Sequence, residues 1–185
     1  PWETDGKTNW EFIGMTEFNA YGYAEGVINN SNTNDVAVLN GRSMRALIDG
    51  NVASSLQTFK DGAVVLFQNK KTATAGTYPT VDLIFSLSQP KTTNMAKLSF
   101  YHEYNSMIGL PKDNKVEISY ANNYNDFVVL GTYTFEGVAE SGKMGVLDAI
   151  IPFGKAVTAK YIRIKFQYGD SPFESSGKPV WEFIG

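Results

Sequence analysis

Lys160-Tyr161-Ile162-Arg163-Ile164-Lys165-Phe166 sets an apolar side chain at every second position. Successive side chains of a β-strand point to opposite faces, so this stretch predicts a strand with Ile162, Ile164 and Phe166 facing a core. Reading outward, Lys115-Val116-Glu117-Ile118-Ser119-Tyr120 repeats the pattern with Val116, Ile118 and Tyr120 inward. Lys97 to His102 alternates with Leu98 and Phe100 on one face, and Val81 to Leu87 is an apolar-rich strand. Phe127 to Leu130, then Thr132 to Phe135, suggest the next strand or hairpin arm, and Val146 to Phe153 follows. Turn-forming clusters separate them: Gln89-Pro90, Pro111 to Asn114, Asn122 to Asp126 and Tyr168 to Pro172. Only Ser43 to Ile48 reads as a helical turn. Many short strands spaced by turns predict an all-β sandwich or jelly roll, and no long helical period supports an α/β fold.

The composition suits that expectation. The chain has 185 residues, enough for one domain with a real core. An aromatic share of 14% argues against disorder. No apolar run approaches the ~18 residues of a membrane-spanning helix, which implies a soluble chain. Sixteen basic and nineteen acidic residues leave a net charge of -3, against the basic excess expected of a nucleic-acid partner. There is no cysteine, which excludes thiolate metal sites, disulfides and cysteine nucleophiles. His102 is the single histidine, so a histidine-rich metal site is excluded as well. No G-x-S-x-G elbow or phosphate-cradling glycine loop is present. Paired carboxylates such as Glu136/Glu140 have no fixed spacing, so an enzyme is not expected.

The two ends of the chain repeat each other. Residues 1–14 read PWETDGKTNWEFIG and residues 172–185 read PFESSGKPVWEFIG. Nine of these fourteen positions are identical, at an offset of 171 residues from Pro1 to Pro172. A fixed internal period marks a tandem array. Residues 1–14 are therefore expected to overlap the end of a preceding copy, and residues 15–185 to form a single repeat. The alternative is two similar edge strands in one fold.

Four segments, in order, resemble the discoidin or coagulation factor 5/8 type C family. Ala46-Leu47-Ile48-Asp49-Gly50-Asn51 resembles its A-x-D-G-N/D loop. Val81-Asp82-Leu83, followed by Met95 to Tyr101, resembles its V-D-L and L-Y/F strand pair. Lys115 to Ser119, then Phe127 and Leu130-Gly131, resembles its central hairpin. Val157-Thr158-Ala159-Lys160-Tyr161-Ile162-Arg163-Ile164 is similar to its V-T-A-R-Y-V-R-L strand. The resemblance implies a galactose-binding-like jelly-roll sandwich related to the family 32 carbohydrate-binding modules. The tryptophan after the family's D-G loop is absent, Leu56, Gln57 and Phe59 standing there, and the family's D-G after Ser119 is replaced by Asn122 to Asp126. The family's last strand resembles Thr16 to Gly22, at the front of this chain. Residues 15–22 are thus expected to complete the sandwich, leaving one WEFIG segment peripheral.

Two kinds of site follow from the resemblance. The first is a structural calcium held by oxygen donors: the Asp49 carboxylate, Asn51, the Leu47 carbonyl, the Ser54 hydroxyl and Glu17. The other interpretation of Asp49 is a turn residue bonding backbone amides. The second is a glycan platform, in which a ring lies under the sugar's apolar face and polar groups meet its hydroxyls. Tyr101, His102, Glu103 and Tyr104 leave a strand where such modules place binding residues. Tyr168, Asp170 and Phe173, followed by Trp181, lie on a late loop, and Tyr120, Tyr124 and Asn125 form a third cluster. Any of these rings can instead plug the end of a sandwich. Met107 and Ile108 form an apolar loop tip without a basic collar, so membrane insertion is not expected.

The function expected is a non-catalytic, extracellular binding module of a large bacterial surface protein. It would recognise carbohydrate or another cell-surface ligand, and repeated copies would raise avidity in an adhesin. A ligand-free structural spacer and an accessory module of a secreted carbohydrate-active enzyme are the alternatives.

Overall fold

The computed structural model describes residues 24–38, 43–49, 64–69, 78–103, 108–137 and 143–169, and the backbone of 2–4, 7–9, 174–175, 178–179 and 183–184. The described strands are β1 (Trp2–Thr4), β2 (Lys7–Asn9), β3 (Ala24–Asn29), β4 (Val36–Val38), β5 (Phe67–Asn69) and β6 (Thr80–Glu103). They continue with β7 (Ile108–Gly109), β8 (Lys115–Ala121), β9 (Val128–Thr134) and β10 (Met144–Gln167). β11 (Glu174–Ser175), β12 (Lys178–Pro179) and β13 (Phe183–Ile184) follow. Ser43–Ile48 holds the one anticipated helical turn, a 3-10 helix over Met44–Leu47 in which the Arg45 amide donates to the capping Ser43 hydroxyl.

The long strands β6 and β10 are antiparallel partners and carry the architecture. Each has 24 residues, and a straight strand of that length would run about 80 Å. They do not run straight. Phe166 is the register partner of Val81 near the start of β6, yet its ring centroid lies 5.6 Å from that of Phe100 near the end of β6. The two-stranded ribbon therefore folds back on itself. Its halves belong to two facing layers, β3-β6-β10-β8-β9 and β4-β5-β13-β7-β6-β10.

The fold in the ribbon sits at two irregularities in register. Opposite β10 the pairing skips from Ser86 to Lys91, and opposite β6 it skips from Pro152 to Val157. Pro90 occupies the first gap, where its missing amide breaks no ladder bond. Gly154 occupies the second at φ 73°, a conformation that favours glycine. The sequence expectation of a turn at Gln89-Pro90 between separate strands is corrected here. The proline marks a bulge at which one paired ribbon bends, and the expected strands at Val81 and Lys97 are halves of β6.

The all-β jelly-roll sandwich is the architecture observed. Its core follows the period-two pattern: Ile162, Ile164 and Phe166 are buried, as are Val116, Ile118, Leu98 and Phe100. Tyr120 is partly buried against this core. Edge-to-face contacts of Phe166 with Phe67 and Phe100 lock the layers together. β9 runs through Gly131 as one strand paired with β8, so Phe127 to Leu130 and Thr132 to Phe135 form a single hairpin arm. The position between β5 and β7 is filled by Phe183–Ile184 of the carboxy-terminal WEFIG segment, antiparallel to β5 and parallel to β7. Residues 15–22, expected to complete the sandwich, lie outside the described residues.

Candidate functional site

The ribbon folds back, so the start of β6, the end of β6 and both ends of β10 gather at one end of the sandwich. A cleft of about 790 Å³ opens there, on the outer surface of the first layer. Register builds its floor. Lys165 pairs with Asp82 on one side and Glu117 on the other, and Glu117 pairs with Thr132. Partners in an antiparallel ladder share a face, so these four side chains form a polar row outside the core.

One wall is the turn from Asn30 to Asp35. Asn32 accepts the Asn34 amide at 3.0 Å and donates to Asp35 Oδ2 at 3.0 Å, an asparagine-built turn. The turn is tied to β6, because the Asn30 amide donates to the Asp82 carbonyl at 2.8 Å and the Asp82 amide donates to Ser31 Oγ at 2.9 Å. The opposite wall is the 3-10 turn Lys112–Asn114. Asp113 and Asn114 both adopt left-handed φ values, 53° and 51°, a region Asp and Asn tolerate better than most residues. Asn114 Nδ2 secures the turn by donating to the Gly137 carbonyl at 2.7 Å. Lys112 Nζ lies 3.8 Å from the centroid of the Tyr78 ring, and both residues line the cleft.

Asp82 anchors the floor. Its carboxylate accepts from Arg163 Nε at 2.8 Å, from a second Arg163 nitrogen, and from Asn30 Nδ2 at 2.9 Å. Burial pushes this carboxyl group up, but the hydrogen bonds from Arg163 and Asn30 and the charges of Arg163 and Lys165 outweigh it and hold it below the usual carboxylate range.

The residues anticipated for ligand contact are placed differently from one another. Tyr101 is 2% exposed, packed with Val64, Leu66 and Ile108, and its hydroxyl donates to Glu103 Oε2 at 2.7 Å. Tyr168 is 0% exposed in the main core. Neither offers a ring face to a ligand: Tyr168, just past β10, enters the main core, and Tyr101, on the face of β6 opposite Phe100, is covered by Val64, Leu66 and Ile108. His102 and Glu103 are half-buried. His102 lies across Gly145, where a Cβ atom would meet its Nε2 at 3.1 Å. Ile108 is buried in β7 and so forms no apolar tip. Asp49 is exposed and Leu47 buried. Glu17, Asn51, Ser54, Tyr104, Asp170, Phe173 and Trp181 lie outside the described residues. The chain leading to Asp170 and Phe173 nevertheless departs beside the cleft, since the Tyr168 amide donates to the Pro79 carbonyl at 3.1 Å and Gly169 abuts Lys112.

Tyr78, Lys112 and the Asn30–Asp35 turn were not anticipated. The sequence signals the two turns, through the polar run Asn29-Asn30-Ser31-Asn32-Thr33-Asn34-Asp35 and the turn-forming cluster Pro111 to Asn114, and gives no signal for Tyr78. Tyr124, singled out with the third cluster, packs edge-to-face on Tyr161 at 5.6 Å and near Phe127 on the outer face, at 39% exposure.

No protein-family model matches the chain, and no curated protein matches it. Solved structures do match, and those compared are carbohydrate-binding modules, mostly of family 32, whose motifs the sequence resembles. The CBM32-1 and CBM32-2 domains of Clostridium perfringens ZmpB are 14% identical, with a TM-score of 0.48 over 88% of this chain and 34% of that one. This chain thus spans about a third of that structure. The family 32 module of C. perfringens NanJ, solved with galactose, is 16% identical with a TM-score of 0.43 over 86% of this chain and 88% of that one. CpGH89CBM32-5 of C. perfringens, solved with GalNAc-β-1,3-galactose, is 12% identical with a TM-score of 0.41 over 86% and 89%. Likeness at these levels identifies no ligand for this chain.

Proposed function

We infer that this chain is a non-catalytic carbohydrate-binding module that holds its glycan in the cleft between the Asn30–Asp35 and Lys112–Asn114 turns. The observation that carries this is the make-up of the cleft: about 790 Å³, a tyrosine on its wall, and amides, carboxylates and ammonium groups around it. That volume falls within the range of small-molecule sites. Saccharides need this pairing of a ring with many hydrogen-bonding groups. The motif resemblance points the same way. A glycan array followed by calorimetry tests it. Tyr78→Ala and Asn32→Ala are each expected to weaken the best array ligand about tenfold or more, which is about 1.4 kcal/mol, with the melting temperature retained. An array without a binder would favour the spacer, and a binder indifferent to both substitutions would move the site elsewhere.

A second location is favoured by the half-buried His102 and Glu103 at the same end of the sandwich, with Tyr104, Asp170, Phe173 and Trp181 as further contributors. His102→Ala separates the two, since it leaves the cleft intact.

An extracellular setting, tandem copies and an adhesin-like role in a bacterial surface protein belong to the same proposal. So does a structural calcium. The donors for it are all oxygens, as calcium requires: Asp49, the Leu47 carbonyl, Asn51, Ser54 and Glu17. Calcium is expected to raise the melting temperature of the chain, and Asp49→Ala to abolish that increment. Identical melting curves in chelator and in calcium would remove the ion from the proposal.

A further inference from the structure

The segment that occurs twice in the sequence also builds the same local structure twice. In the β1–β2 hairpin Glu3 pairs with Thr8 and Thr4 with Lys7. In the β11–β12 hairpin Glu174 pairs with Pro179 and Ser175 with Lys178. Each pair maps onto the other at the 171-residue offset. The residues between the paired strands are Asp5-Gly6 and Ser176-Gly177, dipeptides of the kind found in two-residue hairpin loops. The repeat is therefore structural as well as textual.

The same five residues, Trp-Glu-Phe-Ile-Gly, follow each hairpin. After β12 they supply β13, which inserts between β5 and β7. Among the described strands, β13 is the link that joins β4 and β5 to the rest of the sheet. The slot takes one strand, yet the chain carries two segments with the sequence that fills it.

We propose that the β5–β7 slot is built to take either copy of this segment, so that when the resident β13 is displaced it accepts Trp10 to Gly14 of a second copy of this chain and copies link head to tail by strand exchange. A strand inserted between two others is held by main-chain hydrogen bonds, which an identical segment reproduces, while its side chains select the match. The amino-terminal segment of one copy enters a slot near the carboxy terminus of the next. That contact is heterologous, so it generates closed rings where the rotation closes and open chains where it does not. In the intact molecule β13 is tethered beside its slot at a high effective concentration and outcompetes the exchange. The proposal stands apart from the carbohydrate reading and needs no ligand.

Proline substitutions in the full chain test it, because proline removes the main-chain donor that strand pairing uses. Phe183→Pro weakens the resident strand, and Phe12→Pro disables its duplicate. The four chains, wild type, F12P, F183P and F12P/F183P, are compared by sedimentation velocity and thermal melting over a range of concentrations. The wild type and F12P are expected to be monomers with equal melting temperatures. F183P is expected to assemble, its weight-average mass rising roughly two-fold or more with concentration, and its melting temperature rising alongside. The double variant should stay monomeric and melt lowest. A synthetic peptide of residues 172–185 should return F183P to monomers. The proposal fails if F183P matches F12P/F183P in mass and melting temperature, if it is monomeric at every concentration, or if its assemblies ignore the peptide.

Discussion

Replacing Arg163 with alanine is expected to lower the unfolding free energy by about 3–5 kcal/mol. The magnitude comes from what is left behind. Asp82 is 7% exposed and accepts two hydrogen bonds from the Arg163 guanidinium. Without Arg163 a buried carboxylate keeps only Asn30 and the more distant charge of Lys165. Asp82→Ala is expected to cost less, because the Arg163 side chain is 24% exposed and can turn its charge to water. The double variant Asp82→Leu/Arg163→Met should lose less than Arg163→Ala alone, since no stranded charge remains. Arg163→Lys should rescue only in part, because an ammonium cannot reproduce the two-pronged contact.

This pair also has a definite pH signature. In the wild type the Asp82 carboxyl lies below its unfolded value, which is about 3.9. Its contribution is then fully present above that value and fades as pH falls through the lower folded value. In Arg163→Ala burial dominates and raises the Asp82 carboxyl, so protonation favours the folded variant. The stability gap between the two proteins should therefore narrow from pH 7 toward pH 4. Urea denaturation at both pH values measures it. A gap that is independent of pH, or a loss below about 1 kcal/mol at pH 7, would show that the pair contributes little.

The sandwich was legible where burial alternates. The Lys160 to Phe166 stretch declares its inward face because its outward positions carry charge or hydroxyl. Val81 to Phe85 does not alternate, and the structure shows why: Asp82 and Ile84 face outward yet are buried as well, Asp82 beneath Arg163 and Asn30. The ribbon was hidden for a different reason. Pro90 and Gly154 have the local chemistry of chain reversals, and nothing short of the register distinguishes a turn from a bulge at which two paired strands bend together. The candidate site was least legible. Tyr101 and Tyr168 have the residue type of a sugar platform, but ring type carries no direction: Tyr168 enters the main core, while Tyr101 is buried on the other face of β6 beneath Val64, Leu66 and Ile108. The cleft joins Asn30, Tyr78, Lys112 and Lys165, which are far apart in sequence and meet only through the ordering of β3, β6, β8 and β10.

Phe166→Ala is expected to cost about 3–5 kcal/mol, the usual range for removing a buried phenylalanine. The ring is 2% exposed and touches both layers: Phe67 at 6.2 Å and Phe100 at 5.6 Å between centroids, both edge-on. Phe100 in turn stacks on Phe135 at 5.1 Å. Phe166 is thus where the start of the folded ribbon meets its end, and an alanine there leaves a cavity between layers that cannot both move in. Phe166→Leu should cost less than about 1.5 kcal/mol, because it keeps most of the volume. Val129→Ala, at a position 60% exposed, should change stability by no more than about 0.5 kcal/mol. A Phe67→Ala/Phe166→Ala cycle should show coupling of about 0.5–1.5 kcal/mol, the part owed to the ring pair itself. Chemical denaturation of the wild type and these five variants, Phe67→Ala included, decides the matter. A Phe166→Ala loss no larger than that of Val129→Ala would mean that the layers are held together elsewhere, and that the return of the ribbon does not depend on this contact.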